Sequence, residues 1–296
     1  MVGLFLPVNA SAIPTLHLLN ASSIVACAGC FRIFVAILLA GIAPNPSVII
    51  GYGLIVYSTY TFDRAIGCGE DAINRHELLG ADQRIGMIAS IAAFTAGAVL
   101  LACEQIYLAS FLPFIIGYVY SKGLTIGGYS FKLKGSLGSK NIVIGITWGG
   151  SIALIISRYN SDIFTISAIF LFFCGKMFIN SALYDFKDVK GDLESGIRTL
   201  PVCLGEKRTK MLLIASCLAI YSAMIVSINQ RSLQPEWILL SVSFAFTASF
   251  ICYYSVGFEE RVHGTMKKFR QWMVIGEWPV ALAAVPLAAT IIALIV

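Results

Sequence analysis

Residues 162–192 read DIFTISAIFLFFCGKMFINSALYDFKDVKGD. The first part, through Leu183, is an apolar run interrupted by one lysine, Lys176. A helix rises ~1.5 Å per residue, so a run of about 20 residues crosses the ~30 Å hydrocarbon core of a bilayer. Directly after the run come Asp185, Asp188 and Asp192, spaced i, i+3 and i+7. On a helix that spacing places the three carboxylates on one face. The stretch therefore predicts a membrane-spanning helix that leaves lipid and at once presents acid.

The rest of the chain agrees with a membrane setting. Of its 296 residues 58% are hydrophobic and 12% charged, against roughly 45–50% and about 25% in a soluble domain. The mean hydropathy is +0.83. A soluble protein of this size cannot cover so much apolar surface, and a disordered chain would be polar and charge-rich. The long unbroken apolar runs argue against a β-barrel, whose strands alternate apolar and polar residues. Nine spans are expected, at residues 18–41, 46–65, 85–103, 106–121, 141–158, 162–183, 210–229, 236–257 and 273–295. The expected fold is all-α, a polytopic bundle of about nine transmembrane helices forming a single domain over residues 1–296. The Cys27-Ala-Gly-Cys30 spacing lacks a second pair or a nearby histidine, and reads as small residues in an apolar helix. The histidines, His17, His76 and His263, have no ligand spacing. The first sixteen residues carry no Lys or Arg, so no secretory signal is expected.

Charge is distributed by side. The loops after the second, fourth, sixth and eighth spans, with the adjoining helix ends, hold seventeen of the 21 Lys and Arg. The intervening loops hold Arg158 and Arg231, while Arg32 and Lys176 fall within spans. By the positive-inside rule the basic loops and the N-terminus are expected in the cytoplasm and the C-terminus on the opposite side. The Asn9-Ala-Ser11 and Asn20-Ala-Ser22 sequons then lie at the cytoplasmic end. No nucleic-acid partner is expected.

The positive-inside rule is largely indifferent to acids, yet twelve of the 16 Asp and Glu share the basic side. Two clusters begin where spans end. The first contains Asp63, Glu70 and Asp71, spaced i, i+7 and i+8; the second is Asp185, Asp188 and Asp192. Like charges stacked on one helical face repel. Either salt bridges from Arg64, Lys187 and Lys190 offset this at solvated helix ends, or a divalent cation does. Mg²⁺ favours one or two carboxylates together with substrate phosphates and water. Two carboxylate faces beside basic loops would suit a magnesium diphosphate.

The second cluster, followed by Gly196, Arg198, Thr199, Leu200 and Pro201, resembles the second aspartate motif of the UbiA-type intramembrane prenyltransferase superfamily. The first resembles that superfamily's NxxxDxxxD motif: Asp63 stands in place of the Asn, Gly67 in place of the middle Asp, and Asp71 matches, with Glu70 as an additional carboxylate. Of an Arg-Pro-x-Asn near the first span only Asn20 remains. The segment from Tyr120, Ser121 and Lys122 through Lys134 to Lys140 and Asn141 resembles the superfamily's third conserved loop.

The resemblance implies transfer of a prenyl group from a prenyl diphosphate to an aromatic or lipid acceptor within the membrane. It implies Mg²⁺ held by Asp63, Glu70 and Asp71 on one side and by Asp185, Asp188 and Asp192 on the other. Tyr120, Ser121, Lys122, Lys134 and Arg198 would then meet the diphosphate, with Asp71, Asp188, Asp192 and Lys134 central to catalysis. Departure of diphosphate requires stabilisation of charge on oxygen, and the allylic cation requires a dry cavity with aromatic faces. Charges within spans are costly. Arg32 is expected either to reach the diphosphate or acidic motif or to form an interhelical pair, Lys176 to pair or snorkel, and Glu277 to be a boundary carboxylate or an acceptor-side base. A membrane terpene cyclase or diphosphate lyase would use the same scaffold. A non-catalytic lipid-binding or transport protein is the reading from another class, and its ionisable groups belong near the midplane.

Overall fold

The computed structural model describes residues 12–66, 80–122, 124–126, 129–131, 138–194 and 196–256, with residues 12 and 120–131 as backbone. Eight helices occur among the described residues. They are α1 (Ala12–Leu39), α2 (Pro46–Ile66), α3 (Gln83–Cys103), α4 (Leu108–Lys122), α5 (Ser139–Ile156), α6 (Ile163–Glu194), α7 (Leu200–Asn229) and α8 (Trp237–Tyr253). Each coincides with one of the first eight expected spans; the expected ninth, 273–295, lies outside the described residues. One feature departs from helix. A two-stranded antiparallel ribbon, β1 (Leu124–Ile126) with β2 (Tyr129–Phe131), follows α4 and pairs Leu124 with Phe131 and Ile126 with Tyr129. Alternation of Leu, Thr, Ile and Tyr, Ser, Phe suits strands, and the run is too short to extend a helix.

Two helices extend beyond the apolar runs that announced them. α6 continues through all three aspartates of the second cluster to Glu194, because Asp, Lys, Phe and Val interrupt hydropathy without breaking a helix. Its end is set by Gly196 at φ 69°, a left-handed conformation that costs glycine nothing. There Gly196 N donates to Leu193 O at 3.2 Å and Ile197 N to Asp192 O at 2.8 Å, a Schellman closure. α7 starts at Leu200 with Pro201 in its first turn and is kinked at Gly205. The tail of the second motif is thus partly explained as turn chemistry: Gly196 stops one helix and Pro201 starts the next.

Five described helices, α1, α3, α5, α6 and α7, are long and apolar enough to cross a membrane, and Leu108–Val119 and Trp237–Tyr253 are shorter apolar helices. The molecule is an integral membrane protein. Large apolar side chains cover its outside, with Ile238 75% and Leu108 73% exposed, an arrangement that lipid tolerates and water does not. Inside, Ile33, Ile37, Tyr52, Ile55, Trp148, Ile152, Ile169 and Phe172 form one core. Small and polar residues join helices within it. Ser90 Oγ donates to Ser58 O across α2 and α3 at 2.9 Å, and Ser151 Oγ to Ala109 O across α4 and α5 at 2.9 Å.

Successive helices reverse direction, and contacts fix which ends meet. Arg158 after α5 donates to Gln105 after α3 at 2.7 Å, and Gln234 N after α7 donates to Leu39 O, the last residue of α1, at 2.8 Å. Thr165 near the start of α6 donates to Ser232 O at 2.6 Å. At the other end, Asp82 N before α3 donates to Thr15 Oγ1 near the start of α1 at 2.8 Å, and Arg64 near the end of α2 donates to Ser22 Oγ of α1 at 2.6 Å. That second end therefore gathers the end of α2, the start of α5 and the end of α6.

Candidate functional site

The second acidic cluster belongs to α6, and its three aspartates have three different environments. Asp185 is fully buried. Its Oδ1 accepts from Lys140 Nζ at 2.7 Å and its Oδ2 from Asn141 Nδ2 at 2.8 Å. The same Asn141 amide donates to Ser181 Oγ, one turn back along α6, at 3.0 Å. Asp188 is half-buried. Asp192 is 3% exposed, and its Oδ2 has no hydrogen-bond partner.

Lys140 and Asn141 occupy the first turn of α5, which opens at Gly138 with φ 68°. They reach Asp185 because α5 and α6 run antiparallel at close range: a Cβ on Gly149 would lie 2.7 Å from Cys174 N. Asp185 and Lys140 form an ion pair inside this contact, with the lysine side chain 28% exposed. Two carboxylates, Asp188 and Asp192, stand beyond that pair. A buried carboxylate oxygen without a donor is costly, and a cation at that position would satisfy it. The donor set is all oxygen, the preference of Mg²⁺. Asp192 also lies nine residues past Leu183, beyond the membrane-spanning part of α6. Burial pushes its carboxyl up to about 6; Lys140 opposes that rise, and the charges of Asp185 and Asp188 add to it.

The grouping expected from sequence is only partly present. Among the described residues, no three His, Cys, Asp or Glu side chains are grouped so as to hold a metal ion. Regular spacing along one helix does not converge three carboxylates: Asp185 and Asp192 are separated by about 10 Å of helix at ~1.5 Å per residue. Asp185 instead faces α5. Of the first cluster, Asp63 is half-buried in the last turn of α2, while Glu70, Asp71 and Gly67 lie outside the described residues. Asp63 is nevertheless at the same end of the bundle as Asp192.

Tyr120, Ser121 and Lys122 form the last turn of α4, and Lys134 lies outside the described residues. Arg198 is exposed in the turn between α6 and α7. Arg32 is inside the bundle, 3% exposed. Lys176 donates to Thr247 Oγ1 at 2.7 Å and approaches Ser243 Oγ at 3.4 Å, while Tyr221 and Ser243 share a hydrogen bond of 2.6 Å. Lys176 thus has interhelical partners on α8, as a charge within a span requires. Glu277 lies outside the described residues.

Sequence reasoning overlooked the Lys140, Asn141 and Ser181 environment of Asp185. Lys140 read as one of several loop cations, and nothing in local spacing connects it to a residue 45 positions away. It likewise named no aromatic residue to face the allylic cation. The structure stacks Tyr60 of α2 on Trp148 of α5, sets Tyr52 edge-on to the same indole, and places Arg64 over the Tyr60 ring.

A family model described as the UbiA prenyltransferase family matches residues 30–276. Among solved structures, that of a UbiA homolog from Archaeoglobus fulgidus bound to GPP and Mg²⁺ is similar, with 15% sequence identity, a TM-score of 0.58 and coverage of 91% of this chain and 97% of that one. The apo structure of a UbiA homolog from Aeropyrum pernix K1 is similar with 15% identity, a TM-score of 0.58 and coverage of 90% and 98%. A structure concerned with digeranylgeranylglyceryl phosphate synthase in membranes has 14% identity, a TM-score of 0.52 and coverage of 95% of each chain. At these identities the structures establish a shared fold. No curated protein matches the sequence.

Proposed function

The chain belongs to the UbiA prenyltransferase family, and from that premise we propose that it transfers a prenyl group from a prenyl diphosphate to an apolar or aromatic acceptor within the bilayer, with Mg²⁺ as cofactor. The observation that carries the assignment of the site is Asp192. It is a carboxylate 3% exposed, with a partnerless oxygen, at the end of the bundle where α2 presents Asp63. Asp188 and Asp192 would hold Mg²⁺ on one side, and Asp63, Glu70 and Asp71 on the other. The chemistry Mg²⁺ supplies there is neutralisation of the charge that develops on the departing diphosphate. The A. fulgidus homolog bound to GPP and Mg²⁺ supports this reading.

The chain's own groups perform the remaining tasks. Tyr120 and Ser121 donate hydrogen bonds to the diphosphate, and Lys122, Lys134 and Arg198 offer it fixed cations. Cleavage of the C1–O bond leaves the electron pair on the diphosphate oxygen and an allylic cation on carbon. The core of the bundle excludes water from that cation, and an acceptor atom then gives its electron pair to C1 and loses its proton to solvent. The whole chain acts as one domain, and the end bearing the acids faces the cytoplasm, as the basic loops support.

The test is to incubate purified protein with Mg²⁺, radiolabelled prenyl diphosphates of several lengths and a lipid extract, and to weigh the product. An acceptor heavier by one prenyl unit is expected. A hydrocarbon formed without acceptor would make the protein a cyclase or lyase instead.

A further inference from the structure

We propose that Thr199 is a positioning residue for the metal site: its hydroxyl donates to the Asp192 carboxylate and orients the remaining carboxylate lone pairs for the cation. The inference deepens the function proposed above and rests on it, since it takes Asp192 as a ligand. It starts from two buried side chains on either side of one turn. Asp192 is 3% exposed and Thr199 2%. Neither Asp192 Oδ2 nor Thr199 Oγ1 completes a hydrogen bond. The two groups are nevertheless neighbours. Burial raises the Asp192 carboxyl, and the Thr199 hydroxyl is among the groups that oppose the rise, through its approach to the carboxylate. A buried donor and a buried acceptor side by side are costly while both stay open, and each is satisfied when they close on one another.

The hydroxyl is not used as a helix cap. Thr199 is the N-cap of α7, with extended backbone at φ −78° and ψ 165°. A threonine there ordinarily accepts from the amide of the second or third helical residue. The second helical residue is Pro201, which has no N–H, and the Thr199 side chain makes no capping bond.

The backbone holds the two residues together. Gly196 turns the chain at φ 69°, Ile197 N donates to Asp192 O at 2.8 Å, and Cys203 N donates to Thr199 O at 3.0 Å as α7 begins. Leu200, the next residue, packs towards the start of α5, where a Cβ on Gly138 would lie 3.2 Å from Leu200 Cδ2. The turn from Asp192 to Thr199 is thus anchored at both ends. A carboxylate that ligates a metal is itself held by hydrogen bonds that orient it, and those bonds tune metal affinity. One donor on Asp192 leaves it lone pairs enough for a cation. Arg198 of the same motif tail is exposed, whereas Thr199 is turned inward.

The test compares Thr199→Val, Thr199→Ala, Thr199→Ser and Asp192→Asn with the wild-type chain in detergent. Mn²⁺ affinity is read by electron paramagnetic resonance, alone and with inorganic diphosphate, and folding by the metal-free thermal midpoint. Thr199→Val keeps the shape of the side chain and removes the hydroxyl. It is expected to weaken Mn²⁺ binding by roughly 10-fold or more, the usual effect of losing a group that orients a metal ligand, and Thr199→Ala by a similar factor. Thr199→Ser, which restores the hydroxyl, should bind Mn²⁺ nearly as the wild type does. Asp192→Asn should lose more than either. The metal-free midpoint of Thr199→Val should stay at the wild-type value, because the hydroxyl caps no amide. Wild-type Mn²⁺ affinity in Thr199→Val and Thr199→Ala would overturn the inference. So would a loss that Thr199→Ser shares, or one larger than that of Asp192→Asn, which would make the hydroxyl itself a ligand. Thr199→Val and Thr199→Ala variants that unfold at markedly lower temperature, or do not fold, would make Thr199 a structural residue and overturn it too. Failure of the wild-type protein to bind Mn²⁺ under either condition would overturn the proposed function, and this inference with it.

Discussion

Tyr60 of α2 lies stacked on Trp148 of α5, with ring centroids 5.7 Å apart and planes 9° from parallel. Tyr52, two turns earlier on α2, meets the same indole edge-on at 6.3 Å. One tryptophan thus joins two helices whose ends carry the candidate site, and it is 4% exposed. Trp148→Ala should destabilise the protein by roughly 3–5 kcal/mol, the usual cost of truncating a buried tryptophan. Trp148→Phe, which keeps a ring between the tyrosines, should cost much less. Thermal unfolding in detergent checks both; equal and small losses would mean that the stack carries no weight.

The α5–α6 contact makes a second prediction. A Cβ on Gly149 would lie 2.7 Å from Cys174 N and 2.9 Å from its Cα. Those are backbone atoms, which cannot move aside alone. Gly149→Val should therefore destabilise by about 1–3 kcal/mol, as overpacking does. Its neighbour is a control. A Cβ on Gly150 meets only Leu112 Cδ2 at 3.5 Å, an ordinary contact, so Gly150→Ala should unfold at or slightly above the wild-type temperature, alanine being the better helix former.

Asp192 gives a pH prediction. Burial pushes its carboxyl up to about 6, above the ordinary Asp value of about 3.9. Between those values the metal-free folded chain binds a proton that the unfolded chain does not. Its stability from this group therefore rises as pH falls from about 6 towards 4, and is lost as pH rises through 6. Mg²⁺ needs the ionised carboxylate, so metal affinity should weaken over the same fall in pH. Asp192→Asn should remove this pH dependence of the metal-free thermal midpoint, leave folding intact, and cut turnover by orders of magnitude. A midpoint with the same pH profile in wild type and variant would show that Asp192 does not titrate there.

Much of this was legible in the chain. Each of α1 to α8 was announced by an apolar run, because in lipid every backbone polar group must be satisfied within its own helix. The acidic clusters stood out because they violate the indifference of loop acids to membrane side. What the sequence left hidden is long-range. Three aspartates at i, i+3 and i+7 looked equivalent, whereas Asp185 turns to Lys140, Asp192 is buried with an open oxygen, and Asp188 lies between these states. That division is set by the packing of α5 on α6, which local periodicity does not encode. The β1–β2 ribbon after α4 was missed for a different reason: its three-residue strands are too brief for alternation to register.

The most direct measurement of the central claim is diphosphate release from a labelled prenyl diphosphate by the purified protein, followed through a Mg²⁺ titration and then in excess chelator. Release and prenyl transfer should rise together with Mg²⁺ and stop when it is removed, because in the proposed site Asp188 and Asp192 would meet the diphosphate only through a bound cation. Turnover that continues undiminished in excess chelator would contradict the account.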